Sequence, residues 1–289
     1  VDTFRRDGLT FDVHDHAPAG APHGAAGSAP TGTAVLLHGF PQDASAYDAV
    51  VPLLTGAGLR VLAPDQRGYS PGARPAGRRA YAVRELVADV VALLDAAGVE
   101  RAHVVGHDWG GAVAWSLAGR HPERTASLTV LSTPHPAAMA AGRGDQVRRS
   151  SYMLWFQAPK VPEALLLRRD AALLRRFLAG SGLEPHLVDH YATRMSEPGA
   201  LTAALGWYRA LPVSRSRGKG AAKSRGSGPT PVPTTYVSGR RDPFFAPDSV
   251  RATGRYVTGP YRHVELDADH WLPEHRPDDV AAAVLAHLR

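Results

Sequence analysis

The sequence predicts an α/β protein, a mostly parallel sheet flanked by helices and broken by a helical insertion. Three observations predict it. Short apolar runs alternate with segments of helical periodicity between residues 33 and 133. That alternation stops over 136–211, where the pattern is helical and no strand is convincing. It resumes at 232–239 and runs to the end of the chain. With 289 residues and 44% hydrophobic content, the chain can bury a large core. It has no cysteine, which excludes a disulfide scaffold, a thiolate zinc site and a cysteine nucleophile.

The elements follow in order. Residues 2–16 read as two short strands in a hairpin around Asp7-Gly8. Residues 17–32 are almost all Ala, Gly and Pro and read as a loop. TAVLLHGF (33–40) is a buried strand running into a loop, and LRVLA (59–63) is the next strand. Val83, Leu86, Val87, Val90, Val91 and Leu94 share one face of a helix over 81–97, which Gly98 ends. AHVVGHDWGGAVAWSLA (102–118) is a strand, a turn and an apolar helix, and SLTVLST (127–133) is the sixth strand. Ser196-Glu197-Pro198 predicts the start of a helix through about Tyr208. A strand at 232–239, a helix near 247–252, a strand at 263–267 and a helix at 277–288 complete the chain. The expected division is core at 1–134, helical cap and basic linker at 135–228, and core again at 229–289.

The net charge is +6, and Arg215, Arg217, Lys219, Lys223 and Arg225 supply most of that excess within 213–228. No aromatic residue interleaves them, so a solvated linker is expected rather than a nucleic-acid surface. No apolar run approaches a membrane span, and the first residues lack a signal-peptide pattern. A cytoplasmic protein without nucleic-acid or membrane partners, monomer or homodimer, is the expectation.

The chemistry centres on Gly106-His107-Asp108-Trp109-Gly110-Gly111, between a strand and a helix. Small residues two before and two after Asp108 let strand and helix close around a strained turn that lifts the central side chain clear. A carboxylate nucleophile leaves an alkyl ester on the enzyme, which suits attack at the sp³ carbon of an epoxide or alkyl halide. Nucleophile, acid and His are expected in that chain order. Asp242 follows the strand TTYVSG, and His270 follows VELDAD. A His oriented by a carboxylate is the base needed to activate water against the ester. The backbone N–H groups of Phe40 and Trp109 are placed to meet the resulting oxyanion.

His38 and His107 read as structural, as do Asp65, Arg67 and Gly68 in a buried turn. Glu274 reads as a brace for the His270 loop, and His135 as a hinge leading into the cap. His14-Asp15-His16 alternates along a strand, which sends neighbours to opposite faces and argues against a metal site. No cofactor motif occurs, so neither cofactor nor metal is expected.

HGFP (38–41), DQRGYS (65–70), GHDWGG (106–111), Asp242 and DHWLPEHRP (269–277) together resemble the α/β-hydrolase fold, and within it the epoxide hydrolases. The resemblance spans the whole core and implies a helical cap inserted after the sixth strand. It also implies two cap tyrosines that hold and protonate an epoxide oxygen. The matching segments are Tyr152-Met153-Leu154-Trp155-Phe156-Gln157-Ala158-Pro159 and Gly206-Trp207-Tyr208-Arg209. An alkoxide is a poor leaving group unless protonated, and Tyr is a donor at neutral pH. Phe40, Trp109, Trp155, Phe156 and Trp207 are expected to line an apolar substrate pocket. The implied reaction turns a small hydrophobic epoxide and water into a vicinal diol. A haloalkane dehalogenase using the same Asp108, Asp242 and His270 is the alternative. It asks for N–H donors around a halide, a role open to Trp109, Trp155 and Trp207. A non-catalytic binder of apolar ligands is the reading from another class.

Overall fold

The computed structural model describes residues 1–19, 30–142, 144–215 and 229–288, without the side chains of 212–215. Most of the expected Ala/Gly/Pro loop and of the basic segment 213–228 lie outside the described residues. The strands are β1 (Thr3–Arg6), β2 (Leu9–His16), β3 (Gly32–Leu37), β4 (Leu59–Pro64), β5 (Ala102–His107), β6 (Thr125–Leu131), β7 (Thr234–Gly239) and β8 (Tyr261–Leu266). They form one sheet in the order β1-β2-β4-β3-β5-β6-β7-β8. β1 and β2 pair antiparallel, as do β2 and β4; every later pairing is parallel.

The strands read as near-continuous apolar runs because both faces of the sheet are covered. Helices α1 (Val51–Gly56), α2 (Val83–Ala96) and α3 (Trp109–Arg120) follow β3, β4 and β5. One face, carrying Val35, Leu37, Val104 and Val130, packs on α2 and α3 and continues into the insertion. The other, carrying Leu36, Val61 and Val105, packs on α1 and on the last helix. Asp7 and Gly8 turn the hairpin with φ of 51° and 77°.

The insertion after β6 is helical throughout its described residues: α4 (Pro136–Ala141), α5 (Asp145–Arg149), α6 (Tyr152–Trp155), α7 (Val161–Leu166), α8 (Arg168–Gly180), α9 (Pro185–Ser196) and α10 (Ala200–Arg215). Near its start α8 is broken by Arg169, Asp170 and Ala171, whose φ values are positive. One expectation needs correction. Ser196-Glu197-Pro198 does not start a helix; it separates α9 from α10. Glu197 is extended, with φ −59° and ψ 148°, because the following Pro disfavours helical backbone there. After the insertion come α11 (Pro247–Ala252), α12 (Leu272–His275) and α13 (Pro277–Leu285). The short α1 and α12 carry too few residues for a periodic pattern to announce them. Among the described residues no helix is long and apolar enough to cross a membrane.

Topology now places the chemistry. Loops after β3, β5, β7 and β8 leave the carboxyl edge of one sheet, where ligands bind in folds of this class. Those loops carry Phe40, Asp108, Asp242 and His270, and the insertion that follows β6 brings Tyr152 and Tyr208 over them.

Candidate active site

Asp108 sits between β5 and α3 with φ 50° and ψ −118°, a strained conformation for a residue with a side chain. The packing around it enforces that turn. A Cβ added at Gly110 would lie 2.0 Å from the Leu37 carbonyl oxygen. One added at Gly39 would lie 2.4 Å from Cβ of Asp108. Only glycine lets these backbones approach so closely.

The Asp108 carboxylate accepts the Phe40 N–H at Oδ1, 2.9 Å, and the Trp109 N–H lies beside it. These are the two donors expected to hold an oxyanion. Burial pushes its pKa up, opposed by His270 and by both N–H groups. His270 Nε2 lies 3.7 Å from Asp108 Oδ2. Its Nδ1 lies 2.8 Å from Asp242 Oδ2, while the Phe244 N–H holds Asp242 Oδ1 at 2.7 Å. Burial disfavours the charged imidazolium, but Asp242 and Asp108 outweigh it and the His270 pKa is raised. The geometry is that of a nucleophile, a base and an orienting acid.

Tyr152 and Tyr208 close the site from above. Their rings lie 6.2 Å apart, edge to face. The Trp109 ring meets Tyr208 edge to face, with ring centroids 5.0 Å apart. Burial raises both tyrosine pKa values; the Asp108 charge raises them further.

A cavity of about 600 Å³ opens from this point between core and insertion. Asp108, Trp109 and Tyr152 line its inner end. Ala112, Pro136, Met139, Met153, Leu211 and Phe245 line its length. Asp108 is the single ionised carboxylate or cation among the lining residues.

The structure distributes the expected pocket aromatics unevenly. Trp109 lines the cavity. Phe40 and Phe156 are buried beside Tyr208, with ring centroids 5.4 Å and 4.9 Å from it, and support the tyrosine from behind. Trp207 is fully buried and donates its indole N–H to the Arg67 carbonyl at 2.8 Å, so it braces the turn after β4 rather than lining the cavity. Trp155 lies on the surface, its ring against Phe156, because α6 turns that face outward.

The bracing residues are where the sequence suggested. The Gln66 N–H bonds His38 Nε2 at 3.1 Å, and Arg67 forms a buried ion pair with Asp89 at 2.7 Å. His135 caps α4 and stacks on Tyr256 at 4.7 Å. Asp15, central to the histidine cluster in β2, pairs with Arg60 instead. Among the described residues no group of three His, Cys, Asp or Glu is arranged to hold a metal.

Sequence reasoning missed Gln42, Phe244, Phe245 and Met139. Gln42 accepts the Gly39 N–H at 2.8 Å and so fixes the loop that carries Phe40. Its place directly after His38-Gly39-Phe40-Pro41 was the available signal. Met139 and Phe245 carry no motif, and their position on the cavity follows from tertiary packing alone.

Comparison with known proteins agrees with the geometry. The family model described as alpha/beta hydrolase fold matches residues 34–277. The AB hydrolase superfamily protein YfhM of Bacillus subtilis is 36% identical over 88% of this chain and 89% of its own length. Epoxide hydrolase A of Mycobacterium tuberculosis is 33% identical over 100% of this chain and 96% of its own. The crystal structure of epoxide hydrolase A from Mycobacterium thermoresistibile superposes with a TM-score of 0.80 at 27% identity, covering 99% of this chain and 97% of that one.

Proposed function

We propose that this chain, which belongs to the α/β-hydrolase family, is an epoxide hydrolase working through a covalent ester on Asp108. The observation that carries the reading is the Tyr152–Tyr208 pair, rings 6.2 Å apart, set against the Asp108–Trp109 turn, with Asp108 and Tyr152 both lining one largely apolar cavity. The name of the Mycobacterium tuberculosis relative supports it.

In the first step an Asp108 oxygen attacks one epoxide carbon and the carbon–oxygen bond breaks. The released oxygen takes a proton from the tyrosine pair. A phenol whose pKa is raised stays protonated at working pH, so a donor is always present. The ester formed has no charge on Asp108, so His270 loses one of the carboxylates that favour its imidazolium. Its pKa falls at the stage when a neutral base is needed. His270, held by Asp242, then takes a proton from water, and the hydroxide attacks the Asp108 carbonyl carbon. The Phe40 and Trp109 N–H groups hold the oxyanion. Collapse releases the diol, and the proton on His270 returns to the tyrosine pair.

The dehalogenase alternative needs two N–H donors at a leaving halide. The Trp207 N–H is bound to Arg67 and Trp155 is outside, which leaves Trp109 alone of the three tryptophans on the cavity. That argues against it. The test is diol formation from aryl and alkyl epoxides beside halide release from 1-haloalkanes. Diol formation that collapses in Tyr152→Phe and Tyr208→Phe is expected. Halide release indifferent to both substitutions would overturn the reading.

A further inference from the structure

Three polar side chains behind the general base have no part in the two steps above. Glu274, on α12, is partly buried. Its Oε1 accepts Gln42 Nε2 at 2.7 Å and the Tyr191 hydroxyl of α9 at 2.9 Å. Its Oε2 is buried with no hydrogen-bond partner among the described residues. Gln42 cannot turn its amide around, because its oxygen already takes the Gly39 N–H. The same oxygen faces His107 Nδ1 at 2.8 Å, and His107 Nε2 lies 2.8 Å from the backbone carbonyl of His270. The His107 ring lies 4.8 Å from the His270 ring. A chain of contacts therefore runs from Glu274 through Gln42 and His107 to the residue that acts as base.

We propose that Glu274 is a positioning residue: its carboxylate holds the His270 loop through Gln42 and His107 and favours the charged form of His270. Two donors on one oxygen are what a carboxylate accepts. The proposal rests on His270 as the general base. Its weight is greatest in the second step. The charged and titratable groups around His270 are Asp242 after β7, Asp108 at the elbow, the adjacent Asp269, His107 at the end of β5 and Glu274 on α12. Once Asp108 is an ester, Asp242, Glu274 and Asp269 are the remaining anions. Around Glu274 itself stand Tyr191, Tyr47, His270 and His275. Burial raises the Glu274 pKa, and the Gln42 and Tyr191 donors oppose that rise.

The sign follows. A nearby anion favours imidazolium, so removing it lowers the His270 pKa. Glu274→Gln keeps the shape and an oxygen for Gln42 and Tyr191. It is expected to move the acid limb of the rate–pH profile down by about half a unit to one unit. The weaker base is expected to slow the plateau rate roughly two- to threefold. A parallel measurement needs no turnover: titration of the His270 ring by NMR in wild type and variant, where the same downward shift is expected. If the variant folds and the His270 titration does not move, the proposal is overturned and Glu274 is only a packing group. Should the variant be too unstable to study, Gln42→Leu breaks the link while leaving Glu274 in place. It is expected to lower kcat without moving the His270 titration by as much, and a full-sized shift there would overturn the assignment of the charge to Glu274. Failure of the underlying reading looks different: His270→Gln would then turn over at the wild-type rate.

Discussion

Asp108 and Tyr152 face the same cavity, but the backbone around them is fixed in different ways. Asp108 stands where β5, α3 and the loop after β3 touch backbone to backbone, with no room for a Cβ at Gly39 or Gly110. Tyr152 begins a four-residue helix whose Leu154 is 77% exposed. The neighbouring Val147, Val161, Leu165 and Leu173 are also exposed. The floor of the site is held by close packing at one turn. The roof is held by side chains: aromatic contacts around Tyr208, and polar links from α9 to the core. Arg194 bonds Asp43 and Asp65, Tyr191 bonds Glu274, and Glu184 just before α9 bonds His275.

The comparison breaks most visibly if floor and roof substitutions act alike. Asp108→Ala removes the nucleophile and should lower turnover at least 10⁴-fold, to background, by about the measure that loss of a covalent nucleophile carries. Tyr152→Phe and Tyr208→Phe leave the nucleophile intact. Each should slow formation of the ester by about 10²-fold, the lower range of general-acid effects, and leave its hydrolysis unchanged. Rapid-mixing measurement of the two steps separates them. Equal slowing of both would put the tyrosines in the floor.

A second contrast needs no substrate. Gly110→Ala places a methyl group 2.0 Å from the Leu37 carbonyl oxygen, so backbone must move. A loss of about 3 kcal/mol or more is expected in denaturant unfolding. In the insertion, Gly180 has nothing within 4 Å of an added Cβ and lies in α8. Gly180→Ala should raise stability by about 0.5 kcal/mol.

The smallest effect concerns the link between the two regions. His275 has its pKa raised to about 9, first by its hydrogen bond to Asp269, with Glu184 adding to it. A raised histidine pKa stabilises the fold fully below about pH 6.5, the unfolded value. That contribution fades as pH rises through about 9. His275→Gln should therefore lower Tm at pH 6, and the gap to wild type should close by pH 10. A gap independent of pH would assign His275 to packing alone.

The sequence was most legible where backbone geometry restricts residue choice. The spacing Gly106, Asp108, Gly110 announces a strained turn because only small residues fit around it. His270 and Asp242 were legible because each follows a strand at the same sheet edge. Tyr152 and Tyr208 were singled out through the family resemblance alone, since nothing in helical periodicity distinguishes a proton-donating tyrosine from a packed one, and their role is the proposal made above. Trp155 and Trp207 show the limit: both belong to the same motifs as the tyrosines, yet one turns to solvent and the other buries its N–H on Arg67. Which face of a short helix points inward is decided by packing against elements far away in sequence. The same holds for Glu274, whose partners Gln42 and Tyr191 lie on two distant segments.

The central claim is a covalent bond to Asp108. The direct measurement is the intact mass of His270→Gln after brief exposure to an epoxide, with peptide mapping of the modified residue. Without its base the enzyme should complete the first step and stall. The account predicts a mass increase equal to one epoxide molecule, located on Asp108 and missing when Asp108 is also replaced by Ala. Continued diol formation with no adduct at any time would contradict it.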